Sequence, residues 1–82
     1  MRLDKYLKVS RIIKRRTVAN EACEGGRVSI NGRQAKPAAE VNVGDIIEIR
    51  FGDKHTRLEV LSVKETVRKE EASLMYKEAE TV

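Results

Sequence analysis

The sequence is short of the residue types on which site chemistry usually rests. Its 82 residues include one cysteine (Cys23), one histidine (His55), one proline (Pro37) and no tryptophan. A lone cysteine excludes an internal disulfide and a cysteine-based metal cluster. A lone histidine with no companions at ligand spacing makes no zinc site. Cys23 and His55 lie in distant segments without a supporting motif, so no nucleophilic thiol is indicated. Gly25-Gly26 lacks the remaining elements of a nucleotide-binding fingerprint, and no acid/base pair is evident. The expectation is a protein that is not an enzyme and needs no cofactor or metal. Met1–Lys5 is followed by no apolar run of about seven residues, unlike a signal peptide. No stretch approaches the roughly 18 apolar residues of a membrane span. The expected location is the cytoplasm, away from any membrane.

What the chain does have is charge, unevenly placed. Charged residues make up 37% and apolar residues 40%, in a length that suits one small domain with one modest core. Residues 1–36 carry ten Lys/Arg and three Asp/Glu, a net of +7. Residues 37–82 carry seven and ten, a net of −3, so the formal charge is +4. A basic first half attracts polyanions. A solvated basic surface or an anionic protein partner fits that composition as well.

The stretch Thr17–Lys36 organises the chain. Thr17 is placed as an N-cap. Ala19, Ala22 and Cys23 share one face of a short helix, with Val18 as a second apolar position. Asn20, Glu21 and Glu24 face outward. Gly25-Gly26 ends the helix, one glycine supplying a left-handed cap. Arg27-Val28-Ser29-Ile30 alternates as a strand, Val28 and Ile30 inward. Asn31-Gly32 is a tight-turn signal that sets Arg33 across from the strand, where it can join the field of Arg27. Lys36 follows on the returning arm.

Upstream, Leu3, Tyr6 and Leu7 share one helical face, with Lys5 and Lys8 toward solvent. Tyr6 reads as core, and Asp4 as an acid that stabilises the helix start. Ile12 and Ile13 can be buried between two helices, with Arg11, Lys14, Arg15 and Arg16 clustered beside them. Arginine holds phosphate through a planar fork; lysine acts as a point charge. Downstream, Val41 and Val43 lead into a Gly44-Asp45 turn. Ile46–Phe51 is a strand, Gly52-Asp53 a turn, and Lys54–Val63 extended, with His55 exposed. Ala72, Met75, Tyr76 and Ala79 stand at helical spacing, which predicts a terminal helix over 70–79 and a frayed end over 80–82. The expected fold class is α+β: a helix pair on a small, mostly antiparallel sheet, with a C-terminal helix. The expected division is residues 1–64 as the domain and 65–82 as a helical extension.

Arg16-Thr17, Ala19, Gly26-Arg27-Val28, Ile30-Asn31-Gly32 and Val43-Gly44-Asp45 together resemble the S-four-type RNA-binding domain. The opening Met1–Lys5, Lys14-Arg15-Arg16, Ser29–Pro37 and Glu71–Tyr76 are similar to its stand-alone, heat-shock-related branch. Within that branch the pattern resembles the RqcP (YabO) ribosome quality control family. The resemblance implies an S-four-like fold and a factor bound to obstructed large ribosomal subunits. Its implied partners are large-subunit ribosomal RNA, P-site peptidyl-tRNA and an RqcH-like NFACT-family protein, and no DNA. Its implied role is support of alanine tailing of stalled nascent chains. On matching positions it points to Arg2, Arg16, Arg27 and Lys36 as RNA contacts, supported by Lys5, Arg11, Lys14, Arg15 and Arg33. The acidic tail is expected to stay off RNA. A ribosome recycling or assembly factor, or a protein-binding adaptor, are the alternatives.

Overall fold

The computed structural model describes residues 1–65 and 67–79, so the expected frayed end at 80–82 lies outside the described residues. Two short helices, α1 (Leu3–Val9) and α2 (Arg16–Glu24), precede β1 (Val28–Ile30), β2 (Arg33–Gln34), β3 (Ile46–Phe51) and β4 (Lys54–Val60). A 3-10 segment, Lys69–Leu74, then leads into β5 (Tyr76–Glu78). The strands form one antiparallel sheet in the order β2-β1-β3-β4-β5.

Alternation decides the two sheet faces. Val28, Ile47, Ile49, Leu58 and Val60 are buried against the helices. The intervening Ser29, Glu48, Arg57 and Glu59 are only half-buried, on the face the helices leave open. From α1 come Leu3, Tyr6 and Leu7, and from α2 the small Ala19, Ala22 and Cys23. Burial foremost, then the charges of Asp4 and Glu24, push the Cys23 thiol up to about 11, so it stays protonated as a core side chain. Val18, counted on the apolar side from sequence, is 40% exposed.

Turn chemistry follows the sequence. Asn31 (φ 52°) and Gly32 (φ 84°) are both left-handed, the pair that a two-residue hairpin between β1 and β2 requires. Gly26 (φ 75°) closes α2, and a Cβ there would sit 2.0 Å from Gln34 Nε2. Thr17 is not the N-cap: α2 starts at Arg16, its cap position is Arg15, and no side chain caps it. At the start of α1, two N–H groups that a helix leaves free are taken up from outside it. Leu3 N–H donates to Ala39 O (2.9 Å) and Asp4 N–H to Pro37 O (3.1 Å).

The expected C-terminal helix is replaced by the 3-10 segment and β5. An α-helix through residue 75 needs the Met75 carbonyl to accept from Ala79 N–H. Instead that carbonyl accepts from Leu61 N–H (2.7 Å), Ser62 N–H (3.1 Å) and Tyr6 Oη (2.8 Å). Ala79 N–H donates across the sheet to Arg57 O (2.8 Å). The apolar positions that suggested a helix still bury Ala72 and Met75, and Met75 joins the same core as α1.

Tyr6 is thus a tie between the first element and the last. Burial, then the nearby Tyr76, holds its phenol above the ordinary value, so it acts as a donor. Tyr6→Phe is expected to lose about 1 kcal/mol, since the Met75 carbonyl keeps two other donors. In a domain of this size the melting temperature would fall by roughly 4–8 °C. Thermal unfolding by circular dichroism checks it; an unchanged midpoint would remove the tie.

Candidate nucleic-acid interface

The basic first half is organised by an acid. Asp4, in the first turn of α1, is 2% exposed. Its carboxylate accepts from Arg2 Nε (3.2 Å) and Nη2 (3.3 Å), from Arg16 Nη2 (3.4 Å) and from Asn20 Nδ2 (3.4 Å). It also accepts the Lys5 N–H (2.8 Å). Arg2 precedes α1 while Arg16 and Asn20 belong to α2, so one carboxylate bridges the two helices. Burial pushes the Asp4 carboxyl up, but the bonds from Asn20, Arg16 and the Lys5 N–H, with the charge of Arg16, outweigh it. The group stays below its ordinary value and is ionised at neutral pH.

The arginine side chains remain about half exposed, at 52% for Arg2 and 47% for Arg16. Each guanidinium has five N–H donors in a rigid fork. Asp4 takes two bonds from Arg2 and one from Arg16, leaving donors on both directed at solvent. The result is a pair of oriented cations on the surface of the helix pair, suited to phosphate.

The other sequence candidates fall into distinct places. Lys5 donates to Glu65 Oε2 (2.7 Å) and holds that carboxyl below its ordinary value. It therefore joins α1 to the segment after β4. Arg11 and Lys14 are exposed on the turn after α1, where Arg11 takes a left-handed φ of 62°. With Lys8 and Lys69 they line a cleft of about 690 Å³, completed by Val9, Glu65 and Val67. Arg15 is exposed at the cap of α2. Arg27, Arg33 and Lys36 are exposed on the sheet side. Arg33 pairs with Ile30 and so takes the opposite pleat from Arg27. The register separates these two, which the sequence had placed in one field.

Sequence reasoning missed Asp4 as an organiser, along with Asn20, Lys8 and Lys69. Asp4 was visible as an acid beside a basic cluster, but its partners on α2 lie 12 and 16 residues away. No local spacing rule reaches that far. Among the described residues no group of His, Cys, Asp or Glu could hold a metal ion, and no helix is long and apolar enough to cross a membrane.

An S4 domain model matches residues 1–47, the helix pair with the first hairpin and the start of β3. The chain belongs to the S4 domain family. It is 60% identical over 76 residues to the RQC P-site tRNA stabilizing factor of Halalkalibacterium halodurans, covering 93% of this chain and 86% of the relative. The factor of the same name from Bacillus subtilis is 55% identical over 76 residues, covering 93% and 88%. Among solved structures, the trimeric heat shock protein 15 of Vibrio cholerae superposes with a TM-score of 0.88 at 35% identity, covering 96% of this chain and 81% of that one. Within the S4 family this chain groups with the RQC P-site tRNA stabilizing factors, and its α+β architecture is the one seen in that solved relative. In these terms the Asp4 cluster lies wholly inside the S4-matching segment, whereas β4, the 3-10 segment and β5 lie beyond it.

Asp4→Asn keeps the shape of the side chain and removes its charge. It is expected to lower stability at pH 7 by about 1–3 kcal/mol, through weakened bonds to charged groups. The folded value lies below the ordinary 3.8, so the native state binds fewer protons in that range. The Asp4 contribution is therefore complete above 3.8 and is lost as pH falls through the folded value. Urea unfolding of both proteins from pH 7 down to pH 2 tests this. The wild type should converge on the variant at the acid end; a constant gap would contradict the assignment.

Proposed function

We propose that this chain is a non-catalytic RNA-binding factor of ribosome quality control. It binds obstructed large ribosomal subunits, contacts large-subunit ribosomal RNA, and stabilises P-site peptidyl-tRNA. In that position it supports alanine tailing of the stalled chain by an RqcH-like NFACT-family protein. The observation that carries the reading is the Arg2–Asp4–Arg16 cluster: two oriented, half-exposed guanidinium groups bridged by one buried carboxylate. Its support from kinship is the 60% identity to a protein named as a P-site tRNA stabilizing factor.

The mechanism is recognition of shape. Phosphate contacts from Arg2 and Arg16 set the orientation of the helix pair on RNA. Lys5, Arg11, Lys14, Arg15, Arg27, Arg33 and Lys36 add positive charge around them. A helical RNA offers its backbone and shallow groove and keeps base edges out of reach, so little sequence reading is expected. A bound factor touching both ribosomal RNA and tRNA adds contacts that hold the tRNA between rounds of elongation.

Arg16→Gln, which keeps a side-chain N–H donor for Asp4, is expected to weaken binding to large subunits about tenfold, which is ~1.4 kcal/mol, without unfolding the chain. Wild-type binding should also fall steeply with added salt. Co-sedimentation with large subunits at several salt concentrations checks both, and unchanged sedimentation of a folded variant would defeat the reading. A second reading, ribosome recycling or assembly, uses the same basic interface on ribosomal RNA and needs no peptidyl-tRNA. Equal binding to empty and peptidyl-tRNA-bearing subunits would favour it.

A further inference from the structure

The sheet carries a second basic feature, legible only once strand register is known. β1 and β2 pair Ser29 with Gln34, and Ala35 N–H donates to Val28 O (3.0 Å). Continuing that register by one residue sets Lys36 opposite Arg27. β1 and β3 pair Val28 with Ile49, and Arg50 N–H donates to Arg27 O (2.9 Å), which sets Arg27 beside Arg50. β3 and β4 pair Arg50 with His55. Arg27, just before β1, therefore lies in one register row with Arg50 and His55, and Lys36, two residues past the end of β2, continues that row.

Residues in one row share one pleat. This row has the parity of Ser29 and Glu48, so it belongs to the face the helices leave open. All four residues are exposed, and among the described residues none of them enters an ion pair. The next rows on that face differ. Glu48 stands opposite Arg57, and Glu59 opposite Lys77, with Lys77 Nζ 3.9 Å from Glu59 Oε1. Charge is balanced there, so the uncompensated positive field is confined to the row at the β3–β4 hairpin end.

We propose that this row is a second RNA-backbone contact, in which Arg50 and His55 extend the surface begun by Arg27 and Lys36. The proposal rests on the RNA-binding reading above and adds a site on the sheet to the cluster on the helices. Cβ atoms in neighbouring strands of one row stand about 5 Å apart, so the row spans roughly 15 Å, a length that several consecutive phosphates occupy. A row of exposed basic side chains outside any ion pair follows a sugar–phosphate backbone and reads no base edges.

The test is the full-length double variant Arg50→Gln/His55→Gln, which keeps polar side chains and removes the basic groups. Binding to salt-washed large ribosomal subunits is measured over a range of salt. The expected result is an affinity loss of roughly three- to tenfold near 0.1 M salt, and a shallower salt dependence, since fewer phosphates are neutralised. Glu48→Gln, on the same face one row away, should bind as tightly as wild type or more tightly. A photo-crosslinking amino acid in place of Asp53, at the hairpin tip, should yield an RNA adduct. If the double variant melts like wild type and binds with unchanged affinity and salt slope while a folded Arg16→Gln is impaired, the row falls and the proposed function stands. A crosslink to protein alone also overturns the row. If wild type itself fails to bind subunits, the proposed function fails with it.

Discussion

The structure depends on a single buried carboxylate. Among the described residues Asp4 is the one buried acidic side chain, and it is almost fully enclosed by groups that need it. Leaving an ionised carboxylate away from water costs several kcal/mol unless hydrogen bonds replace its hydration. Arg2, Arg16, Asn20 and the Lys5 N–H supply them. The requirement runs in both directions. The carboxylate stays charged because those donors surround it, and the donors are held in place because the carboxylate cannot leave. Since the donors come from the residue before α1, from α1 itself and from α2, meeting that requirement also sets how the helices lie together. The small Ala19, Ala22 and Cys23 on the facing side of α2 permit the close approach that the bonds demand.

The rest of the chain supports the start of α1. The bridge between Arg2 and Glu40, and the carbonyls of Pro37 and Ala39, hold residues 2–4 against the segment after the first hairpin. Tyr6 reaches the Met75 carbonyl, and Lys5 reaches Glu65. Each contact joins positions distant in sequence to one short helix. An isolated helix of seven residues has little stability of its own; this one is stable through what surrounds it. A chain with only 82 residues thereby gains a rigid surface for Arg2 and Arg16 without a large core.

Local patterns were legible in the sequence to the extent that local physics decides them. Ile46–Phe51 alternates and is bounded by glycine turns, and it is a strand over those same residues. Asn31-Gly32 and Gly25-Gly26 have the left-handed residues their turn and cap need. The C-terminal segment misled because its apolar spacing was right for burial and silent about backbone partners. Once Leu61, Ser62 and Tyr6 donate to Met75 O, continuing the helix would leave Ala79 N–H competing for an occupied acceptor. The exposed edge of β4 offers it a partner instead. The candidate site divides the same way. Positive charge was visible residue by residue, but which cations are oriented, paired or aligned was not. Asp4 acts across 12 residues on Arg16, and the parity that separates Arg33 from Arg27 depends on where the hairpin turns.

Orientation matters for a phosphate ligand because arginine is costly to immobilise. A free arginine side chain gives up as much as ~2 kcal/mol of rotamer entropy when it is held in one geometry. In this fold Arg2 and Arg16 have already lost part of that freedom on folding, through bonds to Asp4. On the proposed reading, binding to RNA would then require less further ordering, and more of each phosphate contact would be expressed as affinity. The same carboxylate cancels one positive charge, so the cluster has less long-range attraction than two free arginines would. The arrangement therefore exchanges some general attraction to polyanions for fixed direction. Lysine at either position would break this balance: an ammonium can pair with Asp4, but it has no planar fork that reaches a carboxylate and a phosphate on separate edges. The row of Lys36, Arg27, Arg50 and His55, proposed as a second contact, has the complementary character: among the described residues no ion pair orients it. On the proposed reading, oriented guanidinium groups on the helices and basic side chains outside any ion pair on the sheet would give one small domain both docking geometry and reach.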